Sequence, residues 1–317
     1  MSADLCPVCA RGRPRFCCRA LLYAGREGDI HDCPDCGAAF YRPMPSYEEI
    51  ARCYPPVYFR DFLKQYWKDV YKGRALARRL APWKASGDML DVGCALGTML
   101  AGAREGGWRV KGLEFSPEAA ALGSSLNGVE IVSAPLSKAP WPDASFDFVH
   151  VNNVLEHEAD PEGALRAVAR LLRPCGRMEL TVPNGPVDLL PNRTLLEKWG
   201  RAVVTRHGGH LFFFSRRALG ELLSRCGLEM VSTRCFHLKQ GAKARGWLPH
   251  SYKIFAKGPR PLEEGRRETL TLEQAKALIP PRPSWPLYWA RYRWRRLWRT
   301  GLSDFGYDFE ILAEKRR

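Results

Sequence analysis

The chain lacks any apolar run that could cross a membrane. Among its 317 residues, no stretch approaches the roughly 20 apolar residues of a membrane-spanning helix. Residues 1–6 also lack the basic and then apolar pattern of a secretion signal. We therefore expect a cytoplasmic protein. Because a reducing compartment does not sustain disulfides, its eleven cysteines are expected to be thiols or metal ligands.

Acidic residues are in the minority. Against 49 lysines and arginines there are 34 aspartates and glutamates, which gives a formal net charge of +15. Such an excess favours acidic partners, namely phosphorylated metabolites, nucleic acid or an anionic membrane face, without choosing among them. The length allows one substantial α/β core with an appendage.

The G-x-G-x-x-G fingerprint of dinucleotide-binding folds is also missing. Residues 89–97 read MLDVGCALG and predict a strand, a tight turn and the start of a helix. Ala95 stands where the second glycine would be, so a pyrophosphate would press on the backbone. Gly93 and Gly97 still let a smaller ligand approach, and the free N–H groups of the following helix suit a carboxylate or phosphate.

This segment resembles the D-x-G-x-x-x-G motif of class I S-adenosylmethionine-dependent methyltransferases. The similarity continues in order and spacing through residues 146–157, 170–176 and 182–184, and covers residues 83–235. The resemblance implies an α/β fold with a Rossmann-like seven-stranded methyltransferase sheet and helices on both faces. It also implies an enzyme that uses S-adenosylmethionine, the alternative being a nucleotide fold that binds another ligand.

The resemblance assigns cofactor contacts to the ends of the predicted strands. Glu114 should accept hydrogen bonds from both ribose hydroxyls, and Phe115 should lie against adenine. Pro135 belongs to a loop in which backbone atoms replace a common acidic contact to adenine. The full set of expected cofactor residues is Asp91, Gly93, Cys94, Gly97, Glu114, Phe115, Pro135 and Asn152. Of these, Cys94 is expected to be a small apolar filler without a nucleophilic role.

Two C-x-x-C knuckles near the amino terminus predict a zinc ribbon. Their spacing suits four thiolates around one tetrahedral ion, which leaves no open coordination position, so the zinc should be structural. Cys17, Cys18 and His31 lie between the knuckles, and one of them could replace a ligand. The alternative to a zinc site is that the knuckle cysteines are buried free thiols. The predicted ligands are Cys6, Cys9, Cys33 and Cys36.

His157 and His210 are the candidate catalytic bases, because a sugar hydroxyl must lose its proton as it attacks the methyl group. In ubiquinone O-methyltransferases the motif E-x-x-E-H is associated with a divalent ion. Here Asn153 replaces the first acid, which weakens the case for magnesium. In similar sugar C-methyltransferases an E-H pair precedes Y-F-S, whereas here Gly209 precedes His210, which favours O-methylation.

The predicted organisation has four parts. These are a zinc ribbon (1–42), a helical linker or lid (43–86), the S-adenosylmethionine-binding core (87–235), and a basic, aromatic-rich insertion with the last strand (236–317). Within the linker, one helix is expected from about 59 to 80. Residues 285–299 carry five arginines and no acid, which predicts either a helix docked on an anionic membrane or a helix packed on the domain. For the last strand, 306–313 is favoured over 251–256.

The function expected from this sequence is methyl transfer to a small molecule in a bacterium. The preferred acceptor is a hydroxyl of a nucleotide-linked or lipid-linked sugar, at the inner face of the membrane if the sugar is lipid-linked. An rRNA or tRNA methyltransferase, a quinone or lipid O-methyltransferase, and a scaffold without activity are the alternatives. Nucleic acid is not the expected partner, because the segment after the fourth strand lacks the N/D-P-P-Y/F element of base-amine methylases.

Overall fold

The computed structural model describes residues 5–21, 27–52, 59–190, 203–204, 210–248, 270–290 and 304–316. Two sheets organise these residues, one with seven strands and one with five. In the part of the chain that the structure describes, no helix is long and apolar enough to span a bilayer.

All strands of the seven-stranded sheet come from the chain after residue 87. Its strands are β4 (Asp88–Val92), β5 (Arg109–Glu114), β6 (Glu130–Ser133), β7 (Phe146–Asn152), β8 (Leu172–Pro183), β11 (Leu228–Phe236) and β12 (Asp308–Lys315). The helices that follow these strands are α4 (Thr98–Glu105), α5 (Pro117–Asn127), α6 (Pro161–Leu171), α7 (Gly185–Asp188), α8 (Arg216–Arg225) and α9 (Leu238–Ala244). Asp160 caps α6 ahead of Pro161, and Ser215 caps α8.

The order across this sheet is β11-β12-β8-β7-β4-β5-β6. Strands β4 to β8 run parallel, and β12 inserts antiparallel between β8 and β11. The predicted Rossmann-like seven-stranded sheet is therefore confirmed. Since β4 lies beside both β5 and β7, the chain reverses its direction of winding at the carboxyl end of β4, the position where ligands bind in open α/β sheets.

Both faces of the sheet are buried. Neighbouring residues of one strand enter different apolar clusters: Met89 packs with Trp108 and Phe148, whereas Leu90 packs with Val149. Because successive side chains of a strand point to opposite faces, this division shows that the sheet is covered on both sides. The carboxyl-terminal edge of the strands remains as the place for a ligand.

The five-stranded sheet is built on the amino-terminal segment. It contains β1 (Arg15–Leu21), β2 (Glu27–Asp32) and β3 (Ala39–Arg42), and it gains β9 (Val203–Val204) and β10 (Phe212–Phe213), in the order β10-β3-β2-β1-β9. Strands β9 and β10 come from the segment that the sequence analysis assigned to the cofactor-binding core. The amino-terminal sheet is thus joined to the core by strand pairing. It takes two strands from beyond the expected boundary of the zinc ribbon at residue 42.

The linker is helical where the structure describes it. It contains α1 (Tyr47–Arg52), α2 (Arg60–Leu63) and α3 (Tyr66–Leu80). The expectation of one helix from 59 to 80 was wrong, because Gln65 leaves the helical region with φ −106° and ψ 9°. Helix α3 then packs against α4, where a side chain on Gly102 would approach the backbone oxygen of Val70 to 1.8 Å.

The carboxyl-terminal segment contributes α10 (Leu272–Leu278), a helical turn at 285–290 and β12. The preferred last strand, 306–313, is largely β12, while 251–256 lies outside the described residues. The rings of Trp285 and Tyr288 each lie 4.9 Å from the ring of Tyr71 in α3. The aromatic side of the 285–290 turn is therefore packed on the domain; residues 291–299, with all five arginines, lie outside the described residues.

Candidate functional site

The turn between β4 and α4 has an unusual backbone. Gly93, Ala95 and Gly97 all have positive φ, at 69°, 49° and 65°. The N–H groups of Gly93 and Cys94 both donate to the carbonyl oxygen of Leu113, at 2.8 and 3.2 Å, which ties the turn to β5. The pattern D-x-G-x-x-x-G thus forms a rigid loop at the sheet edge where the winding reverses.

Glu114 is buried at the end of β5 and lies beside this turn. Its carboxylate accepts the backbone N–H of Ala95 at 2.8 Å and that of Ser116 at 3.0 Å. These bonds hold the carboxylate in the crevice between the ends of β4 and β5. The structure therefore brings together the turn and the acid that the sequence assigned to one cofactor.

Asp91 is buried on β4 and accepts the Nδ1–H of His150, on β7, at 2.7 Å. Burial opposes protonation of His150, but the charges of Asp91 and Glu179 outweigh it and raise the pKa of the imidazole. Glu179 on β8 is paired in turn with Arg79 of α3. Sequence reasoning missed His150, whose only signal is its position inside an otherwise apolar strand.

The remaining predicted cofactor residues lie around the same edge. The Cys94 side chain is buried next to Gly112, where an added Cβ would meet the sulfur at 2.5 Å. Burial raises the pKa of the Cys94 thiol, in agreement with a filler that is not a nucleophile. Phe115 and Pro135 are half-buried after β5 and β6, and Asn152 is exposed at the end of β7.

The turn allows a test with a matched control. A Cβ on Gly93 would lie 2.4 Å from Cγ2 of Val154, whereas one on Gly227 would meet nothing within 4 Å; both glycines have positive φ. Gly227→Ala should cost only the left-handed strain, about 1–2 kcal/mol of unfolding free energy. Gly93→Ala should cost more and should weaken S-adenosylhomocysteine binding, measured by thermal melts and calorimetry. Equal effects of the two substitutions would contradict this account of the turn.

The two predicted catalytic histidines come together although 53 positions separate them (210 − 157). Their rings lie 5.0 Å apart at 71°. His157 belongs to a short 3-10 turn, Leu155–His157, that follows β7, and His210 precedes β10. The N–H of Leu211 donates to the carbonyl oxygen of Glu156 at 2.8 Å, which fastens the two segments together.

Three acidic or phenolic residues surround this pair, and two of them, Asp188 and Tyr307, were not predicted from the sequence. Asp188 of α7 accepts the Nδ1–H of His210 at 2.9 Å and also accepts the hydroxyl of Tyr307. Glu156 is fully buried, and neither carboxylate oxygen has a hydrogen-bond partner among the described residues. Burial raises the pKa of Glu156 to about 7. No motif in the sequence marks Asp188 or Tyr307, which reach the site only through tertiary packing.

Glu156, His157 and His210 also have the composition of a metal site. Their ligand atoms lie within 4.8 Å of one another. The E-x-x-E-H segment itself offers Glu156 and His157, and the fold adds His210 to them. One carboxylate with two imidazoles would suit a borderline ion such as zinc better than magnesium.

The four predicted zinc ligands form one buried cluster. The sulfur atoms of Cys6 and Cys36 lie 3.8 Å apart, and those of Cys9 and Cys33 lie 3.7 Å apart. Zn–S bonds of about 2.3 Å place the ligands of a tetrahedral site about 3.8 Å apart, so the residues fit zinc. Cys17, Cys18 and His31 are not members of this cluster.

The cysteine cluster is physically connected to the histidine pair. The hydroxyl of Ser215 donates to the carbonyl oxygen of Cys36, and β10 pairs with β3, with Phe212 opposite Phe40. His210 lies two residues before β10. The amino-terminal sheet therefore supports the segment that carries one of the candidate bases.

A family model described as "Methyltransferase domain" matches residues 60–233, more than half of the chain. A probable S-adenosylmethionine-dependent methyltransferase of Mycobacterium tuberculosis is 32% identical over 127 residues, which cover 38% of this chain and 44% of that protein. A ubiquinone biosynthesis O-methyltransferase of Xanthomonas axonopodis is 34% identical over 115 residues, 34% of this chain and 47% of that one. The chain thus matches less than half the length of these curated relatives.

Among solved structures, the 1,6-didemethyltoxoflavin-N1-methyltransferase of Burkholderia thailandensis, with its substrate and S-adenosylhomocysteine bound, is 18% identical to this chain. The match covers 96% of this chain and 99% of that one, with a TM-score of 0.46.

Proposed function

Because the chain belongs to the methyltransferase domain family, we propose that it transfers the methyl group of S-adenosylmethionine to a hydroxyl of a small molecule. The observation that carries the proposal is the pairing of two features at one sheet edge. A buried carboxylate, Glu114, lies beside the glycine turn after β4, and His157 follows β7, the neighbouring strand, with the ring of His210 packed against its own.

The proposed cofactor site places the ribose at Glu114 and the methionine part along the turn that contains Gly93 and Gly97. Adenine would lie between Phe115 and the loop at Pro135, and Asn152 would contact the amino-acid end of the cofactor. Asp91 lies on β4 just before the turn, where its hydrogen bond to His150 fixes its carboxylate. These assignments follow the family motif residue by residue.

The transfer is an in-line displacement in which the cofactor supplies the leaving group and the protein aligns the acceptor. The acceptor oxygen forms a bond to the methyl carbon, the carbon–sulfur bond breaks, and its electron pair stays on sulfur. The hydroxyl proton passes to His210, and His157 lies beside that imidazole to orient the acceptor. Without a base, a neutral hydroxyl is a poor nucleophile.

The preferred acceptor is a nucleotide-linked or lipid-linked sugar. The net charge of +15 supports an acceptor that carries phosphate, and the absence of an acid before His210 supports transfer to oxygen rather than carbon. A quinol is the second candidate, favoured by the name of the Xanthomonas relative. Both acceptors offer a hydroxyl to the same pair of histidines.

The remaining proposals concern organisation and location. A structural zinc ion would be held by the four clustered cysteines. The protein would be cytoplasmic, and its four parts would meet at residues 42, 86 and 235. Contact of 285–299 with an anionic membrane would depend on the arginines, since Trp285 and Tyr288 are already packed on Tyr71. Absence of binding to anionic vesicles at low salt would exclude that contact.

The acceptor can be identified by mass spectrometry. Purified protein and S-adenosylmethionine are incubated with separate panels of nucleotide-sugars, quinols and RNA, and each product is examined for a gain of one methyl group. A gain in the sugar panel is expected. A gain in the quinol panel supports the second candidate, and a gain confined to RNA, lost at moderate salt, would overturn the proposal.

His210→Gln should lower kcat about 10²- to 10⁴-fold on the acceptor so identified, while KM for S-adenosylmethionine stays unchanged. Burial opposes protonation of His210, but the bond to Asp188 and nearby acidic charges outweigh it and raise the pKa of the imidazole. Because only the neutral form accepts a proton, the rate should rise as pH passes that raised pKa.

The control for this pH profile is Glu158→Gln. Burial raises the pKa of Glu158 to about 7, so this residue titrates near neutral pH without belonging to the histidine pair. The substitution should leave the rising limb in place. Disappearance of the limb in this variant, or its persistence in His210→Gln, would contradict the assignment of the base.

A further inference from the structure

We propose that Asp188 and Tyr307 are positioning residues that hold His210 in the tautomer whose Nε2 receives the proton of the acceptor hydroxyl. The inference rests on the proposed function, in which His210 is the base. Neither residue belongs to a motif that the sequence presents, and they come from distant parts of the chain, the helix after β8 and the residue before β12.

The geometry is a three-membered chain of hydrogen bonds. Oδ2 of Asp188 accepts the Nδ1–H of His210 at 2.9 Å, and Oδ1 accepts the hydroxyl of Tyr307. The side chains of His210 and Asp188 are both almost completely buried. A carboxylate that accepts from Nδ1 fixes the proton there and leaves the lone pair on Nε2, the arrangement by which a buried aspartate orients a catalytic histidine.

The fold holds both positioning residues through one buried residue, Asn184. Its backbone N–H donates to the carbonyl oxygen of Tyr307 at 2.8 Å, and its own carbonyl oxygen accepts the N–H of Asp188, also at 2.8 Å. The Asn184 amide donates to the carbonyl oxygen of Gly306 at 2.9 Å. A single asparagine therefore fixes the start of α7 and the approach to β12 relative to each other, which sets the spacing between Asp188 and Tyr307.

The charges around His210 favour a proton on the imidazole once it has been accepted. Glu156 and Asp308 face it in addition to Asp188, and His157 packs against its ring. In the transfer step the acceptor O–H bond breaks as the oxygen bonds to the methyl carbon, and the proton binds Nε2. The resulting imidazolium is stabilised by the Asp188 carboxylate, whose other oxygen stays bonded to Tyr307.

The tautomer can be measured without knowing the acceptor. The full-length zinc-loaded protein, labelled with ¹⁵N-histidine and saturated with S-adenosylhomocysteine, gives imidazole nitrogen shifts by NMR, and the His210 signals are assigned by their absence in His210→Gln. Above its pKa, His210 should be protonated at Nδ1. Protonation at Nε2 would overturn the inference, and calorimetry on the same sample separates this outcome from failure to bind the cofactor product, which would overturn the proposed function.

The same spectra test a competing role for the site. If Glu156, His157 and His210 hold an ion, one equivalent of Mn²⁺ should broaden the signals of both histidines. That result would overturn the inference, because an imidazole nitrogen bound to a metal cannot accept a proton. Unchanged signals at one equivalent support it.

Substitutions complete the test on the acceptor found by mass spectrometry. Asp188→Asn should lower kcat at least about tenfold and move the rising limb of the pH profile to lower pH, with KM for S-adenosylmethionine unchanged. Tyr307→Phe should lower kcat about two- to tenfold, the value of one hydrogen bond. Glu158→Gln, the control, should change neither. If the rising limb of the pH profile stays at the same pH in Asp188→Asn, the positioning role is contradicted. If that variant does not fold, the tautomer of His210 in the unmodified protein still tests the inference.

Discussion

Replacing Glu114 with alanine is expected to weaken S-adenosylhomocysteine binding at least about 100-fold. The carboxylate is buried beside the turn, and two hydrogen bonds from a ribose diol to a charged acceptor contribute roughly 3–5 kcal/mol together. Because alanine has no acceptor in its side chain, the diol would lose both bonds at once. Isothermal titration calorimetry of the variant and the unmodified protein measures the difference directly.

The matched control is Glu118→Ala, in the first turn of α5. Glu118 is exposed, and among the described residues it accepts the hydroxyl of Ser116, so its removal should leave the affinity within about twofold. Thermal melts are needed for both variants, since Glu114 also accepts the backbone N–H groups of Ala95 and Ser116. A folded Glu114→Ala protein with unchanged affinity would refute the ribose assignment.

Replacing Cys33 with serine is expected to remove the bound zinc and unfold the amino-terminal sheet. Structural zinc sites contribute on the order of 10 kcal/mol of apparent binding free energy to folding, and the loss of one thiolate opens the tetrahedral shell. Methyl transfer should then fail, because β10 pairs with β3 and carries the segment of His210. Binding of S-adenosylhomocysteine should persist, since Glu114 and its turn belong to the other sheet.

Cys17→Ser serves as the control for zinc content. Cys17 lies between the knuckles but outside the cluster of four sulfur atoms, so the variant should keep one zinc per chain by elemental analysis. Retained zinc in Cys33→Ser would show either that another residue, such as Cys18 or His31, completes the site or that the ion lies at Glu156, His157 and His210. Loss of cofactor binding together with zinc would show that the two sheets do not fold independently.

The turn after β4 and the acid beside it could be placed from the sequence because they are close along the chain and the backbone requirements of the turn are visible as glycines. Gly93 and Gly97 mark positive φ, and Glu114 ends the next strand. The cysteine cluster was predictable for a similar reason, since each C-x-x-C spacing brings two thiols close together without help from the rest of the fold. In both cases local chemistry and global fold agree.

The acceptor half was only partly predictable. Two histidines could be identified by their residue type, but their contact depends on the hydrogen bond from Leu211 to Glu156, which no local pattern encodes. Asp188 and Tyr307 have no distinguishing signal, because each is defined by a partner more than 20 positions away. The break at Gln65 was missed because the apolar spacing on its two sides suits one continuous helix.

A crystal structure of the full-length protein soaked with S-adenosylhomocysteine tests the central claim most directly. The account predicts that the ribose hydroxyls lie within hydrogen-bond distance of the Glu114 carboxylate and that the sulfur atom points toward His157 and His210. A crevice without density at saturating ligand, or a ligand bound with its ribose away from Glu114, would contradict it.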